Sequence, residues 1–213
     1  MDGTIVDTEP YWMASETELV EAHGGTWSHE AAVGLIGSGL WNSADVLRAH
    51  GVDLSHDEII ETLTTMVLAR VELEVPWRPG ARELLEELAA RNIPTALVTM
   101  SIRRMAVQIA EGLPSPFHVI VAGDDVENSK PHPEPYLRAA HLLGVDPEDC
   151  VAIEDSAPGV ASAVAAGAVV IGIPLHGAIP ESADHTVWPS LDGRGVDAIS
   201  ELYRLRRTER SSR

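Results

Sequence analysis

Residues 150–173 read CVAIEDSAPGVASAVAAGAVVIGI, and this stretch decides the fold. Val151-Ala152-Ile153 is a short apolar run ending in Glu154-Asp155-Ser156. An alanine-rich segment follows, then Gly167, then Val169 to Ile173. Ser156 to Leu175 contains no charged residue and approaches the ~20 residues of a membrane-spanning helix. Gly159, Gly167, Gly172 and two prolines interrupt it, however, and the change from alanine to β-branched residues reads as helix, glycine stop, strand. Strand, helix and strand in so short a span are one unit of a parallel sheet.

Working outward, the same alternation repeats. Ala96-Leu97-Val98-Thr99 reads as a strand, with Ser101 as N-cap of a helix running through Glu111 and Gly112 close behind. Val119 to Ala122 is the next strand, and Pro135 to Leu143 a helix stopped at Gly144. The pattern predicts an α/β fold, a parallel sheet with helices on both faces. Residues 11–75 differ: Leu19, Val20, His23 and Ile59, Leu63, Met66, Val67 follow a 3.6-residue period with no convincing strand. They are expected to form a helical insert, bracketed by Pro10 and by Pro76 and Pro79-Gly80. The expected organisation is therefore an α/β core of residues 1–10 plus 76–205, a helical domain over 11–75, and a polar, frayed tail over 206–213.

Composition bounds the function. A chain of 213 residues with 45% hydrophobic content can bury a full core. Its formal charge of -18 repels phosphate backbones and anionic lipid, which argues against nucleic-acid and membrane partners. The single cysteine, Cys150, has no internal disulfide partner, and MDGTIVDTEP lacks the basic start and apolar stretch of a signal peptide, so the expected location is cytoplasmic.

Thr99, Lys130 and Glu154-Asp155 each follow a strand, and in open α/β sheets ligands bind outside the carboxyl ends of strands. Asp2-Gly3-Thr4, Asp7 and Glu154-Asp155 supply hard oxygen donors suited to Mg²⁺. None of the histidines shows metal-ligand spacing.

The order Asp2-Gly3-Thr4, Thr99-Met100-Ser101, Lys130-Pro131-His132-Pro133 and Ile153-Glu154-Asp155-Ser156 resembles the four motifs of haloacid dehalogenase-like phosphatases. Val6-Asp7-Thr8-Glu9-Pro10, Pro79-Gly80-Ala81 and Ala157-Pro158-Gly159-Val160 resemble the β-phosphoglucomutase-like branch, with its helical cap inserted after the first motif. The resemblance implies a Rossmann-like core and hydrolysis of a small phosphorylated metabolite with Mg²⁺ as cofactor, in a monomer or small homo-oligomer. Asp2 becomes the general acid and base, with its main-chain carbonyl on the metal. Thr99 binds the phosphoryl oxygens with help from amides around Gly3, Met100 and Ser101. Lys130 becomes the charge clamp, Asp155 a direct metal ligand, and Glu154 a second ligand or one acting through water.

In that family the nucleophile is the aspartate two positions before the acid, at the end of a first, central strand. Met1 stands at the middle position, so nucleophile and strand are expected outside the printed residues. The second-phosphate grips of β-phosphoglucomutases correspond here to Trp12 and, near Gly37-Ser38-Gly39, Leu40. Their absence favours simple hydrolysis over mutase chemistry. Trp12, Trp27, Trp41 and Trp77 fall in or beside the cap, where packing explains them most simply. A non-catalytic relative that binds phosphorylated ligands is the competing reading.

Overall fold

The structure, a computed structural model, describes residues 1–36 and 38–211. Gly37 of the glycine loop and Ser212 and Arg213 of the expected tail lie outside them. The chain divides into two compact units, Asp7–Pro76 and Met1–Val6 with Trp77 onward. The crossings thus come at 6/7 and 76/77. Pro10 does not bracket the insert but sits in the first turn of helix α1 (Glu9–Ala22), where a missing N–H costs nothing.

The unit of residues 7–76 is helical: α1, α2 (His29–Val33), α3 (Leu40–Ala49) and α4 (His56–Leu73). Of the periodic residues predicted to face inward, Leu19, Val20, Ile59, Leu63 and Val67 are buried, Met66 is half-buried and His23 is exposed; Leu19, Val20, Ile59 and Leu63 form the core together with Leu47. Each such side chain contributes roughly 1.5–3 kcal/mol on burial. Ser55 starts α4 through a capping box, its hydroxyl accepting from the Glu58 amide while Glu58 Oε2 accepts from the Ser55 amide at 2.8 Å. Trp12, Trp27 and Leu40 pack on this core. Trp41 does not, being 59% exposed.

In the other unit the alternating pattern is realised as α5 (Ala81–Ala90), β1 (Ala96–Val98), α6 (Arg103–Glu111), β2 (Val119–Val121), α7 (Glu134–Leu143), β3 (Val151–Glu154), α8 (Ala157–Ala165), β4 (Val169–Gly172), β5 (His185–Val187) and α9 (Val196–Ser211). Every strand pairing among them is parallel, β1 with β2 and β3–β4–β5 in that order. Gly144 ends α7 at φ +72°, the left-handed cap that glycine adopts without strain. Three features differ from expectation. Strand β5 is too short to announce itself by period. Ser101 does not cap α6: the helix begins after Ile102, and the Asp124 carboxylate, from another loop, accepts from the Arg103 amide at 2.8 Å. Residues 206–211 are no frayed tail but the end of α9. Arg206 donates to the His185 carbonyl at 2.8 Å and the Thr186 hydroxyl at 2.7 Å, and Arg207 reaches Glu148 at 3.2 Å.

Strands β1 and β3 do not hydrogen-bond to each other, so the strands form two separate sheets. Leu97 of β1 and Ala152 of β3 both line one apolar cavity of about 600 Å³, together with Leu84, Leu88, Tyr136 and Val196.

Candidate active site

Strand β3 alternates half-buried and buried residues, which turns Glu154 inward at its carboxyl end. A buried carboxylate must be paired. Lys130, on the loop leading into α7, places Nζ 2.5 Å from Glu154 Oε1 and donates also to the Val98 carbonyl of β1 at 3.1 Å. The side chains are only 10% and 5% exposed. The hydroxyl of Tyr136, in the first turn of α7, donates to the same Oε1. Gly159 makes room for the other oxygen: a Cβ there would sit 1.9 Å from Glu154 Oε2.

Asp155, the next residue, is held differently. Its Oδ1 accepts from the Thr4 hydroxyl at 2.9 Å. Burial pushes its pKa above the usual carboxylate range. Its carboxyl group lies against the backbone of Gly3, where a Cβ would come within 2.2 Å of Oδ2. Gly3 has φ +72°, so the sequence Asp-Gly-Thr meets two demands with one residue: a left-handed turn and a close approach. The turn is closed by the Met1 carbonyl, which accepts from the Ile5 amide at 2.8 Å.

At the end of β1, the Thr99 amide donates to the Val121 carbonyl at 2.9 Å and its Oγ1 accepts from the Ser101 amide at 3.1 Å. The Met100 carbonyl is backed by Gly123, where a Cβ would lie 2.3 Å away. Ser101, excluded from its expected capping role, donates its hydroxyl to Asp2 Oδ2 at 2.7 Å. The residues singled out by motif order therefore meet in three links, Asp2 to Ser101, Thr4 to Asp155, and Lys130 to Glu154. The turn of residues 1–6 spans the carboxyl ends of β1 and β3. Asp7 is not among them: it belongs to the helical unit, with its amide on the Pro76 carbonyl at 2.8 Å.

Residues 1–173 match the sequence profile of the haloacid dehalogenase-like hydrolases. The chain belongs to that family. Among relatives, it is 35% identical over 188 residues to hexitol phosphatase A of Escherichia coli, covering 81% of this chain and 80% of that one. It is 30% identical over 178 residues to the bifunctional riboflavin kinase/FMN phosphatase of Arabidopsis thaliana, covering 82% of this chain but only 47% of that longer protein. The crystal structure of CbbY from Rhodobacter sphaeroides in complex with phosphate superposes with a TM-score of 0.78 at 28% identity, covering 94% of this chain and 96% of the other. This hydrolase is thus an α/β enzyme of phosphatase type.

No group of three or more His, Cys, Asp and Glu side chains is poised as a metal cage among the described residues. The donors that could suit Mg²⁺ are hard oxygens from two segments, the Asp155 carboxylate just after β3 and the Asp2 carbonyl on the turn of residues 1–6. Glu154 shares its Oε1 between Lys130 and Tyr136, so its expected part at the metal, direct or through water, falls to Oε2.

Three contributors escaped motif reading. Thr4 belongs to the Asp-Gly-Thr motif, which by itself gives no role to its hydroxyl. Arg78 is 7% exposed and donates to the carbonyls of Gly3, of Ile173 at 3.0 Å and of Pro174 at 3.4 Å, tying the Asp2 turn to the end of β4. Tyr136 is the third. One compositional signal was available: Lys130 is the only lysine among the 15 Lys and Arg residues. A chain that uses arginine everywhere else has an ammonium group at one place, where a compact, buried point charge is needed.

Proposed function

We propose that this hydrolase cleaves a small phosphomonoester with Mg²⁺ as cofactor, through an aspartyl-phosphate formed on an aspartate two positions ahead of Asp2. The observation that carries the reading is the set of contacts between motifs at the ends of β1 and β3: Ser101 on Asp2 across 99 residues, Thr4 on Asp155 across 151, and Lys130 on both Val98 and Glu154. Among the described residues β1 has a ladder only with β2 and β3 only with β4, and the two line one apolar cavity, which supports a further strand between them, ending beside Asp2.

In this scheme a carboxylate oxygen bonds to phosphorus as the ester P–O bond breaks, and Asp2 gives its proton to the departing alkoxide. Asp2 then takes a proton from the water that attacks phosphorus, which releases phosphate and restores the first carboxylate. The Ser101 hydroxyl keeps the Asp2 carboxyl group in one orientation for both transfers. Thr99 and Lys130 receive the phosphoryl oxygens, the ammonium offsetting repulsion between two anions. Asp155 and the Asp2 carbonyl would hold Mg²⁺, which supplies charge neutralisation at the phosphoryl group when bound.

Trp12 and Leu40 pack on the apolar core of the helical unit, which leaves no cationic grip at either position for a second phosphate and favours hydrolysis over mutase chemistry. The charge of -18 and the single cysteine support a cytoplasmic enzyme acting on metabolites rather than polymers. The test is hydrolysis of p-nitrophenyl phosphate and sugar phosphates by the 213-residue chain and by a form extended upstream through the strand and its aspartate. Turnover is expected only in the extended form and only with Mg²⁺, and Asp2→Asn should lower it by about 10²–10⁴-fold. An Asp2→Asn protein that turns over at the parent rate would remove the acid–base assignment.

A further inference from the structure

Lys130 and Glu154 could satisfy each other alone, yet a third residue joins them. Tyr136 donates its hydroxyl to the Glu154 oxygen that Lys130 already occupies, and the Lys130 ammonium lies 5.3 Å from the centre of the Tyr136 ring. The phenol therefore touches both members of the pair, one through a hydrogen bond and the other through the face of its ring. Its placement is local in origin. Lys130-Pro131-His132-Pro133 leads directly into α7, and Tyr136 lies in that helix's first turn, so the lysine and its support come from one short segment. Burial and the Glu154 carboxylate push the phenol pKa well above its ordinary value, which keeps it a donor.

The physical need is evident from the other contacts. A carboxylate bonded only to an ammonium draws that charge toward itself, and among the described residues Lys130 has one further acceptor, the Val98 carbonyl at 3.1 Å. A second donor on Oε1 shares the Glu154 charge and leaves more of the lysine's field for an incoming anion. We propose that Tyr136 is a positioning residue of this active site: its hydroxyl and ring fix Lys130 and Glu154 as one unit and hold the ammonium ready for the phosphoryl group. This rests on the phosphate role proposed above for Lys130.

The lone lysine makes the test direct. Protein labelled with ¹³Cε-lysine yields one lysine signal, that of Lys130, and its shift during titration with inorganic phosphate reads both the state of the ammonium and the dissociation constant. Tyr136→Phe, which keeps the ring, is expected to move or broaden this signal and weaken phosphate binding roughly tenfold, the worth of one hydrogen bond. Tyr203→Phe, which removes an exposed hydroxyl 3.2 Å from Asp149, should change neither. A Tyr136→Phe protein with the parent's lysine signal and phosphate affinity overturns the proposal. If phosphate leaves the signal of the parent protein unmoved while Tyr136→Phe displaces it, the positioning role stands and the phosphate role of Lys130 falls. Should Tyr136→Phe not fold, 3-fluorotyrosine at the three tyrosines keeps every hydroxyl but makes it a stronger donor. The Lys130 signal must then shift, and an unmoved signal refutes the coupling.

Discussion

Replacing Gly3 by alanine separates two reasons for a glycine, because the structure supplies its own control. Gly3 and Gly144 have the same φ of +72°, but a Cβ at Gly144 meets nothing within 4 Å, whereas one at Gly3 would lie 2.2 Å from Asp155 Oδ2 and 2.5 Å from its Cγ. Both substitutions incur the left-handed backbone cost of an L-residue, about 1–2 kcal/mol. Only Gly3→Ala also has to displace a half-buried carboxylate from the Thr4 hydroxyl, where it accepts at 2.9 Å. A hydrogen bond to a charged group contributes about 1.5–3 kcal/mol, so Gly3→Ala should destabilise by roughly 2.5–5 kcal/mol against about 1–2 for Gly144→Ala. Urea unfolding of the three proteins, followed by far-UV circular dichroism, measures the difference. In the extended enzyme Gly3→Ala should also raise the Mg²⁺ concentration needed for half-maximal rate, while Gly144→Ala leaves it alone. Equal destabilisation by the two alanines would refute the idea that Asp155 is seated against the Gly3 backbone.

Two further outcomes follow from individual contacts. Glu16 in the helical unit is 4% exposed, and burial, with Glu9 adding to it, pushes its pKa up to about 7. Between the unfolded value near 4.5 and the folded one the unfolded chain has lost a proton that the native state keeps, so stability falls as pH rises through this window and is level above it. The drop should be on the order of 2–3 kcal/mol, and Glu16→Gln should abolish it in unfolding curves at pH 5 and 8. Parallel losses in the two proteins would exclude Glu16 as the source. Asp124→Ala, which removes the acceptor of the Arg103 amide, should destabilise by about 1 kcal/mol as the loss of a helix cap, whereas Ser101→Ala should scarcely touch helix α6 yet slow turnover in the extended enzyme. A larger stability loss from Ser101→Ala than from Asp124→Ala would return the cap to Ser101.

The alternation of strands and helices was legible along the chain because its signals are local. A run such as Val169-Val170-Ile171 favours extended backbone wherever it lies, and Gly144 can end a helix with no help from distant residues. The motif residues were legible for a related reason, since chemistry at strand ends demands particular side chains in a particular order. What tertiary structure decided was the partner of each polar group. Ser101 has the composition of a cap, but its hydroxyl goes to Asp2, 99 residues away, and no local rule prefers one acceptor over the other. Arg206 and Arg207 read as a solvated tail until the fold brings the His185 carbonyl and the acids of residues 148–149 beneath them, which makes continuing the helix worth its entropy. Strand β5, only three residues long, exists because β4 offers it a ladder. Tyr136 has no signal of its own within the helix read over residues 135–143, and the carboxylate its hydroxyl reaches lies 18 positions later, brought within reach only by the fold. A hydrogen bond is made with whatever acceptor is near in space, and nearness in space is the one quantity that a periodicity along the chain does not carry.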